Sequence, residues 1–326
     1  MKSARIYYLC TLLICFVGLQ AQSSVSFPLD TTYTTYSTWQ KIKKKYPDVR
    51  IPDVLKTTEL MEHKNLVYAT LTDSTHSTRA LHLDIFRPSK AGKYPALIMI
   101  HGGGWRSGNK SMEVLMAQRI ALKGYVAIPV EYRLSLEARF PAAIYDIKAA
   151  VRWVKANADK YSIDTARIAI EGSSAGGQLA TLVGMTNNVP AFEGAEGLTS
   201  NACSIQAVID IDGVVDFLAP ASLKIPRKPD SPDAYWLGGT FEEKPQRWKE
   251  ASPIFWVNEH AVPMLFITSS QPRYHAGRDE MIDLLNQYTV YTESHNIPDS
   301  PHSFWLFDPW FNPTINYTLK FLEKVF

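Results

Sequence analysis

Ser174 lies in Gly172-Ser173-Ser174-Ala175-Gly176-Gly177, between the apolar run Arg167 to Ile170 and a stretch of helical character that begins at Ala175. A serine in that setting is a candidate nucleophile. The flanking glycines let the chain turn sharply enough to present the hydroxyl on a strained elbow, and the following helix aims its N-terminal N–H groups at the reacting centre. Gly-x-Ser-x-Gly alone also fits a small-residue strand-to-helix turn without chemistry, so the reading needs partners. One is His101-Gly102-Gly103-Gly104-Trp105, placed after a wholly apolar run. Glycines there can turn backbone N–H groups toward a developing oxyanion. Gly103, Gly104 and Ala175 are the expected donors. His101 itself is expected to hold the loop by hydrogen bonds rather than carry protons.

A strand-to-helix elbow of this kind belongs to an architecture that runs nucleophile, acid, histidine along the chain, so the base should come late. His302, in Pro298-Asp299-Ser300-Pro301-His302-Ser303-Phe304-Trp305, is the expected general base among eight histidines, because it occupies a proline-flanked loop shortly after the last strand. The acid is expected in the loop after the strand Met264 to Thr268. Its first carboxylate is Asp279, a residue that also suits the cap of the next helix. Asp212, closing Asp210-Ile211-Asp212, is the alternative. Arg273, His275 and Arg278 crowd the Asp279 loop, where they could bind a substrate carboxylate or orient the acid. Trp105, Arg273, His275 and Trp305 are the candidate substrate-binding residues, with Trp236 and Trp310 as further aromatics near the expected mouth.

These residues need a scaffold of alternating strands and helices. Residues 66–70 and 81–86 read as a half-buried pair of strands. Ala96 to Ile100 is apolar at every position, as expected of a strand covered on both faces. Strands are then predicted at 125–130, 167–170, 205–211, 264–268 and 289–294, and helices at 112–123, 141–159, 175–186 and 279–288. In the second helix Ile144, Ile147, Ala150, Val151 and Val154 share one face. Alternation of this kind predicts an α/β fold with a mainly parallel central sheet flanked by helices on both faces. Residues 219–256, with six prolines and three tryptophans, read as one long irregular stretch, a lid or rim of the site.

A chain of 326 residues with 46% hydrophobic and 20% charged residues excludes extensive disorder. Lys2 and Arg5, the apolar run Ile6 to Leu19 and Gln20-Ala21-Gln22 read as a signal peptide cleaved after Ala21, leaving an arm at 22–61 and a catalytic domain at 62–326. Loss of that leader brings the formal charge from +2 to zero, which removes support for a nucleic-acid or membrane-surface binder. Only Cys203 then remains, so no internal disulfide is expected. No later run approaches the roughly 20 apolar residues of a membrane span. Lys41, Lys43, Lys44 and Lys45 read as a solvated helix face. The expected location is secreted or periplasmic.

His101-Gly-Gly-Gly-Trp105, Tyr132-Arg133, Phe140-Pro141-Ala142-Ala143 with Asp146, Asp164 with Arg167-Ile168, Gly172-Ser-Ser-Ala-Gly-Gly177, Leu237-Gly238-Gly239, Ala251-Ser252-Pro253 and His302-x-Phe304 together resemble the α/β-hydrolase esterases. The nearest branch is the secreted bacterial group that includes acetyl xylan, feruloyl and pectin esterases. The resemblance covers roughly residues 62–326. It implies the α/β-hydrolase fold and ester hydrolysis through Ser174 and His302, with no metal or organic cofactor. It departs at the acid loop, where the group's Gly-x-x-Asp is replaced by Ser269 to Arg278. The function expected is removal of acetyl groups from esterified plant polysaccharide or oligosaccharide, xylan or pectin, by a Ser-His-Asp triad. Methyl- or feruloyl-ester cleavage, a short-chain esterase or lipase, a serine peptidase and a catalytically dead carbohydrate-binding homologue are the alternatives.

Overall fold

A computed structural model describes residues 30–72, 78–200 and 202–326. The expected signal peptide at 1–21 and the first residues of the arm lie outside the described residues.

Eight strands form one sheet: β1 (Leu60–Thr72), β2 (Thr78–Pro88), β3 (Tyr94–Ile100), β4 (Val126–Val130), β5 (Ile163–Ser173), β6 (Ala207–Ile211), β7 (Met264–Thr268) and β8 (Thr292–Asn296). Their spatial order is β1-β2-β4-β3-β5-β6-β7-β8. β1 and β2 are antiparallel to each other, β2 is antiparallel to β4, and the other pairings are parallel. The helices are α1 (Thr35–Ile42), α2 (Val114–Leu122), α3 (Ala142–Ala156), α4 (Ala158–Tyr161), α5 (Ala175–Met185), α6 (Pro220–Leu223), α7 (Pro232–Leu237), α8 (Pro245–Glu250), α9 (Arg278–Gln287) and α10 (Phe311–Val325).

β3 explains the layering. Ala96, Ile98 and Ile100 enter one buried cluster with residues of α3, α5 and α9, whereas Leu97 and Met99 enter a second with α2 and α10. Successive side chains of a strand point to opposite faces, so a strand without polar residues requires a helix layer on each side. All eleven residues of α5 are buried, which accounts for its Gly, Ala and Leu content.

Three expectations needed correction. The stretch 219–256 is not irregular throughout. It contains α6, α7, α8 and a 3-10 turn at Pro253–Trp256, each with proline at its start. Proline is well suited to the first helical turn because its missing N–H would have no partner there. The last strand begins at Thr292, later than the predicted 289, since Val290 N–H still bonds back to Leu285 at the end of α9. β1 starts at Leu60, inside the segment read as the arm. The arm does carry its short helix, α1, and the lysines at 41, 43, 44 and 45 are exposed. No helix among the described residues is long and apolar enough to cross a membrane.

Candidate active site

Parallel pairing places the C-terminal ends of β5, β6 and β7 side by side. Ser173 is in register with Ile211, and Ile211 with Ile267. The next residue on each strand therefore emerges at the same edge. Ser174 N–H donates to Ile211 O at 2.8 Å, and Asp212 N–H to Ile267 O at 2.9 Å.

Ser174 has φ 54° and ψ −119°, a conformation that L side chains seldom adopt. Two glycines make it possible. A Cβ at Gly172 would lie 2.0 Å from Gly176 O, and one at Gly176 would lie 2.0 Å from Ile100 O. Packing thus forces the serine outward at the N-terminus of α5.

His302 Nε2 lies 2.8 Å from Ser174 Oγ, and His302 Nδ1 lies 2.6 Å from Asp212 Oδ2. This geometry suits the Nδ1–H tautomer, with Nδ1–H donating to Asp212 Oδ2 and Nε2 accepting from the serine hydroxyl. The other carboxylate oxygen of Asp212 accepts the Ser269 N–H at 2.9 Å. Tyr274 stacks on the imidazole, with ring centroids 3.3 Å apart and planes 8° apart, while Trp305 meets it edge-on at 5.3 Å. The ring is thereby held on two sides.

The expected acid, Asp279, is elsewhere. It sits exposed in the first turn of α9 and pairs with Arg278 at 2.8 Å, which holds its carboxyl below the usual range. The residue next to His302 is Asp212, one strand earlier. The loop after β7 supplies the Ser269 N–H that bonds this aspartate. Asp212 has φ 56°, in the left-handed region that Asp tolerates better than most residues.

Gly104, Trp105, Ser174, Ala175, Asp212, Arg273 and Tyr274 line a cavity of about 220 Å³, closed on its far side by residues of the 222–233 segment. Its wall mixes Val214, Phe217, Ile225, Pro226 and Pro232 with Ser222, Arg227, Ser231 and Asp233. Gly103 lies one residue behind this wall. Its carbonyl accepts from the N–H groups of Arg106 and Ser107 and so closes the glycine turn. His101 is buried, stacks on Tyr132 at 4.5 Å and bonds Gly102 O through Nδ1 at 2.8 Å. Burial pulls its imidazole down to about 4, so it stays neutral.

The aromatic candidates divide. Trp105 reaches the cavity wall, anchored by Gln178 at 2.8 Å and stacked on Trp236 at 4.9 Å. Trp305 is only 1% exposed and backs His302, which rules it out as a sugar platform. Trp236 is fully buried, and Trp310 packs edge-on against Tyr46 of the arm. His275 faces a different hollow, shared with Asp279, Pro220 and Lys224, so it does not bind in the nucleophile's cavity. Arg273 does reach that cavity. Sequence reasoning passed over Tyr274 and Arg227. Arg227 pairs with Asp233 at 2.6 Å and donates to Ser222 O and Ile225 O, pinning the far wall. No local motif marks either residue, since each acts by position in a short turn.

A mainly parallel sheet between helix layers, with a serine elbow on β5, defines the α/β-hydrolase fold. Residues 83–280 match the family model BD-FAE, and the chain belongs to that family. Esterase LipC of Mycobacterium tuberculosis is 30% identical over 259 residues, covering 74% of this chain and 62% of that protein. The probable carboxylic ester hydrolase LipM of the same organism is 30% identical over 236 residues, 69% of this chain and 54% of that one. The chain thus spans less than two thirds of the length of these relatives. Among solved structures, a truncated form of a carbohydrate esterase from gut microbiota superposes with a TM-score of 0.71 at 27% identity, covering 84% of this chain and 100% of that one.

Proposed function

We propose that the protein is a serine carboxylic-ester hydrolase that removes acetyl groups from plant cell-wall polysaccharide, xylan or pectin, after export directed by residues 1–21. The observation that carries the reading is the continuous hydrogen-bonded chain Ser174, His302, Asp212 at the wall of a cavity that also holds Gly104 and Ala175.

In this mechanism His302 Nε2 takes the Ser174 proton as Oγ attacks the ester carbonyl, and Asp212 stabilises the imidazolium. The N–H groups of Gly103, Gly104 and Ala175 receive the oxyanion. The first N–H groups of a helix have no acceptor within it, so Ala175 is suited to this task. Collapse of the tetrahedral species breaks the bond to the alcohol, which leaves with the proton from His302. Water, deprotonated by the same imidazole, then attacks the acyl-serine; the bond to Ser174 Oγ breaks, the serine takes the proton back from His302, and the acid leaves. The modest cavity suits a short acyl group, and the likeness to a carbohydrate esterase supports a sugar alcohol.

Hydrolysis of p-nitrophenyl acetate, butyrate and octanoate, with acetate release from acetylated xylan and pectin, tests the reading in wild type and Ser174→Ala. Acetyl preference with deacetylation of a polymer, both abolished by the substitution, is the expected result. Turnover unchanged in Ser174→Ala would overturn the mechanism. Preference for long chains, or release of methanol or ferulate in place of acetate, would overturn the acetyl assignment.

A further inference from the structure

The cavity beside Ser174 is lined by two cationic side chains, Arg227 and Arg273, and two carboxylates, Asp212 and Asp233. Three of the four are committed within the fold. Asp212 is held by His302 and Ser269, and Arg227 pairs with Asp233 at 2.6 Å. Arg273 has no carboxylate within 4.0 Å among the described residues, and its guanidinium carbon lies 4.6 Å from the centroid of the Tyr274 ring.

The neighbouring cations do not share this position. Arg278 is bonded to Asp279 at 2.8 Å and to Thr268 Oγ1 at 3.1 Å, and His275 faces the separate hollow. Arg273 therefore leaves one uncompensated positive charge at the mouth of the site. Its location also gives that charge a side. Arg273 lies over Tyr274, and Tyr274 lies on His302, the imidazole that would protonate the departing alcohol.

We propose that Arg273 recognises a carboxylate carried by the alcohol part of the ester, so that the preferred substrate is an acetylated uronate rather than a neutral sugar ester. The proposal rests on the esterase reading above. A guanidinium matches a carboxylate by bidentate hydrogen bonding, and at a half-open mouth the attraction is screened by salt.

The test compares acetylated methyl galactopyranosiduronate with acetylated methyl galactopyranoside, and p-nitrophenyl hemisuccinate with p-nitrophenyl acetate, in wild type, Arg273→Gln and Arg273→Lys. Wild type should prefer the uronate. In Arg273→Gln the kcat/KM ratio of uronate to neutral sugar should fall about tenfold, equivalent to about 1.4 kcal/mol, while Arg273→Lys, which keeps the charge but not the bidentate fork, should keep only part of it. In wild type the KM for the uronate should rise with added NaCl, and in Arg273→Gln it should respond much less. A uronate-to-neutral ratio that does not fall, including an equal loss on both sugars, would overturn the proposal. A fall confined to the hemisuccinate pair would place the carboxylate on the acyl side and overturn the alcohol-side assignment. Wild-type enzyme inactive on every ester would remove the esterase reading itself, and this proposal with it. Wild-type activity on both sugars without preference would remove only the role of Arg273.

Discussion

Asp212 is required to do two things at once, accept from His302 Nδ1 at 2.6 Å and from the Ser269 N–H at 2.9 Å. Asp212→Asn keeps the shape but presents a neutral amide in place of the carboxylate, which disfavours the tautomer the base needs. Its kcat on p-nitrophenyl acetate should fall by about 10³ to 10⁴, the size of effect known when a triad acid is neutralised. Asp279→Asn, at an exposed helix start, should leave kcat within about twofold. Steady-state kinetics of the two variants decide between the carboxylates, and the reverse pattern would return the role to Asp279. Ser174, His302 and the glycine loop are expected from local motifs, and the fold brings Ser174 Oγ and His302 Nε2 to 2.8 Å. The sequence ranks Asp279 above Asp212 because the usual acid position follows β7, and only the side-by-side strand ends show that Asp212 reaches the same place. Trp305 was misjudged for a related reason, since residue type says nothing of which way a ring faces.

The elbow and the far wall make separate demands on the elements that build them. Gly176→Ala would press a methyl group against Ile100 O at 2.0 Å. Backbone on both sides cannot yield cheaply, so a loss of about 3 kcal/mol or more is expected; chemical denaturation checks it, and an unchanged midpoint would contradict the packing described. Arg227→Met removes the ion pair to Asp233 and the donors to Ser222 and Ile225 while keeping much of the side-chain length. The 222–233 wall should loosen, raising KM severalfold with a smaller effect on kcat. A change in kcat alone would mean that Arg227 acts on the chemistry rather than the wall. The central strands are legible where they carry apolar runs, as in β3 from Ala96 to Ile100, in β4 and in β5 from Ile168 to Ile170. The short helices of 219–256 are not, because proline suggests irregularity where here it begins helices, and α10, with Phe311, Ile315, Leu319 and Leu322 buried on one face, lies beyond the expected elements.

The molecule as a whole carries buried ionisable groups that its function does not use, and they tie stability to pH. Burial pushes Glu113 up to about 7 from 4.5. In the protonated form it costs the fold little, and ionising it costs roughly 3 kcal/mol by linkage. Between about pH 4.5 and 7 the folded state binds more protons than the unfolded one, so this contribution to stability falls as pH rises. His101, held near 4, acts in the opposite sense, lowering stability as pH falls below about 6.5. Glu113→Gln removes the first effect, eases Glu171, whose carboxyl Glu113 also pushes up, and leaves that of His101 in place. Relative to wild type, its Tm should rise between pH 5 and pH 8, and a difference that does not change with pH would show that Glu113 is not strained in this way. Covalent labelling with a fluorophosphonate, followed by mass spectrometry of the modified peptide, tests whether Ser174 is an activated nucleophile served by His302 and Asp212. A single adduct on Ser174 is expected, absent in Ser174→Ala, formed at least about 10³-fold more slowly in Asp212→Asn and at nearly the wild-type rate in Asp279→Asn. An adduct on another residue, or labelling of Asp212→Asn as fast as wild type, would contradict that assignment.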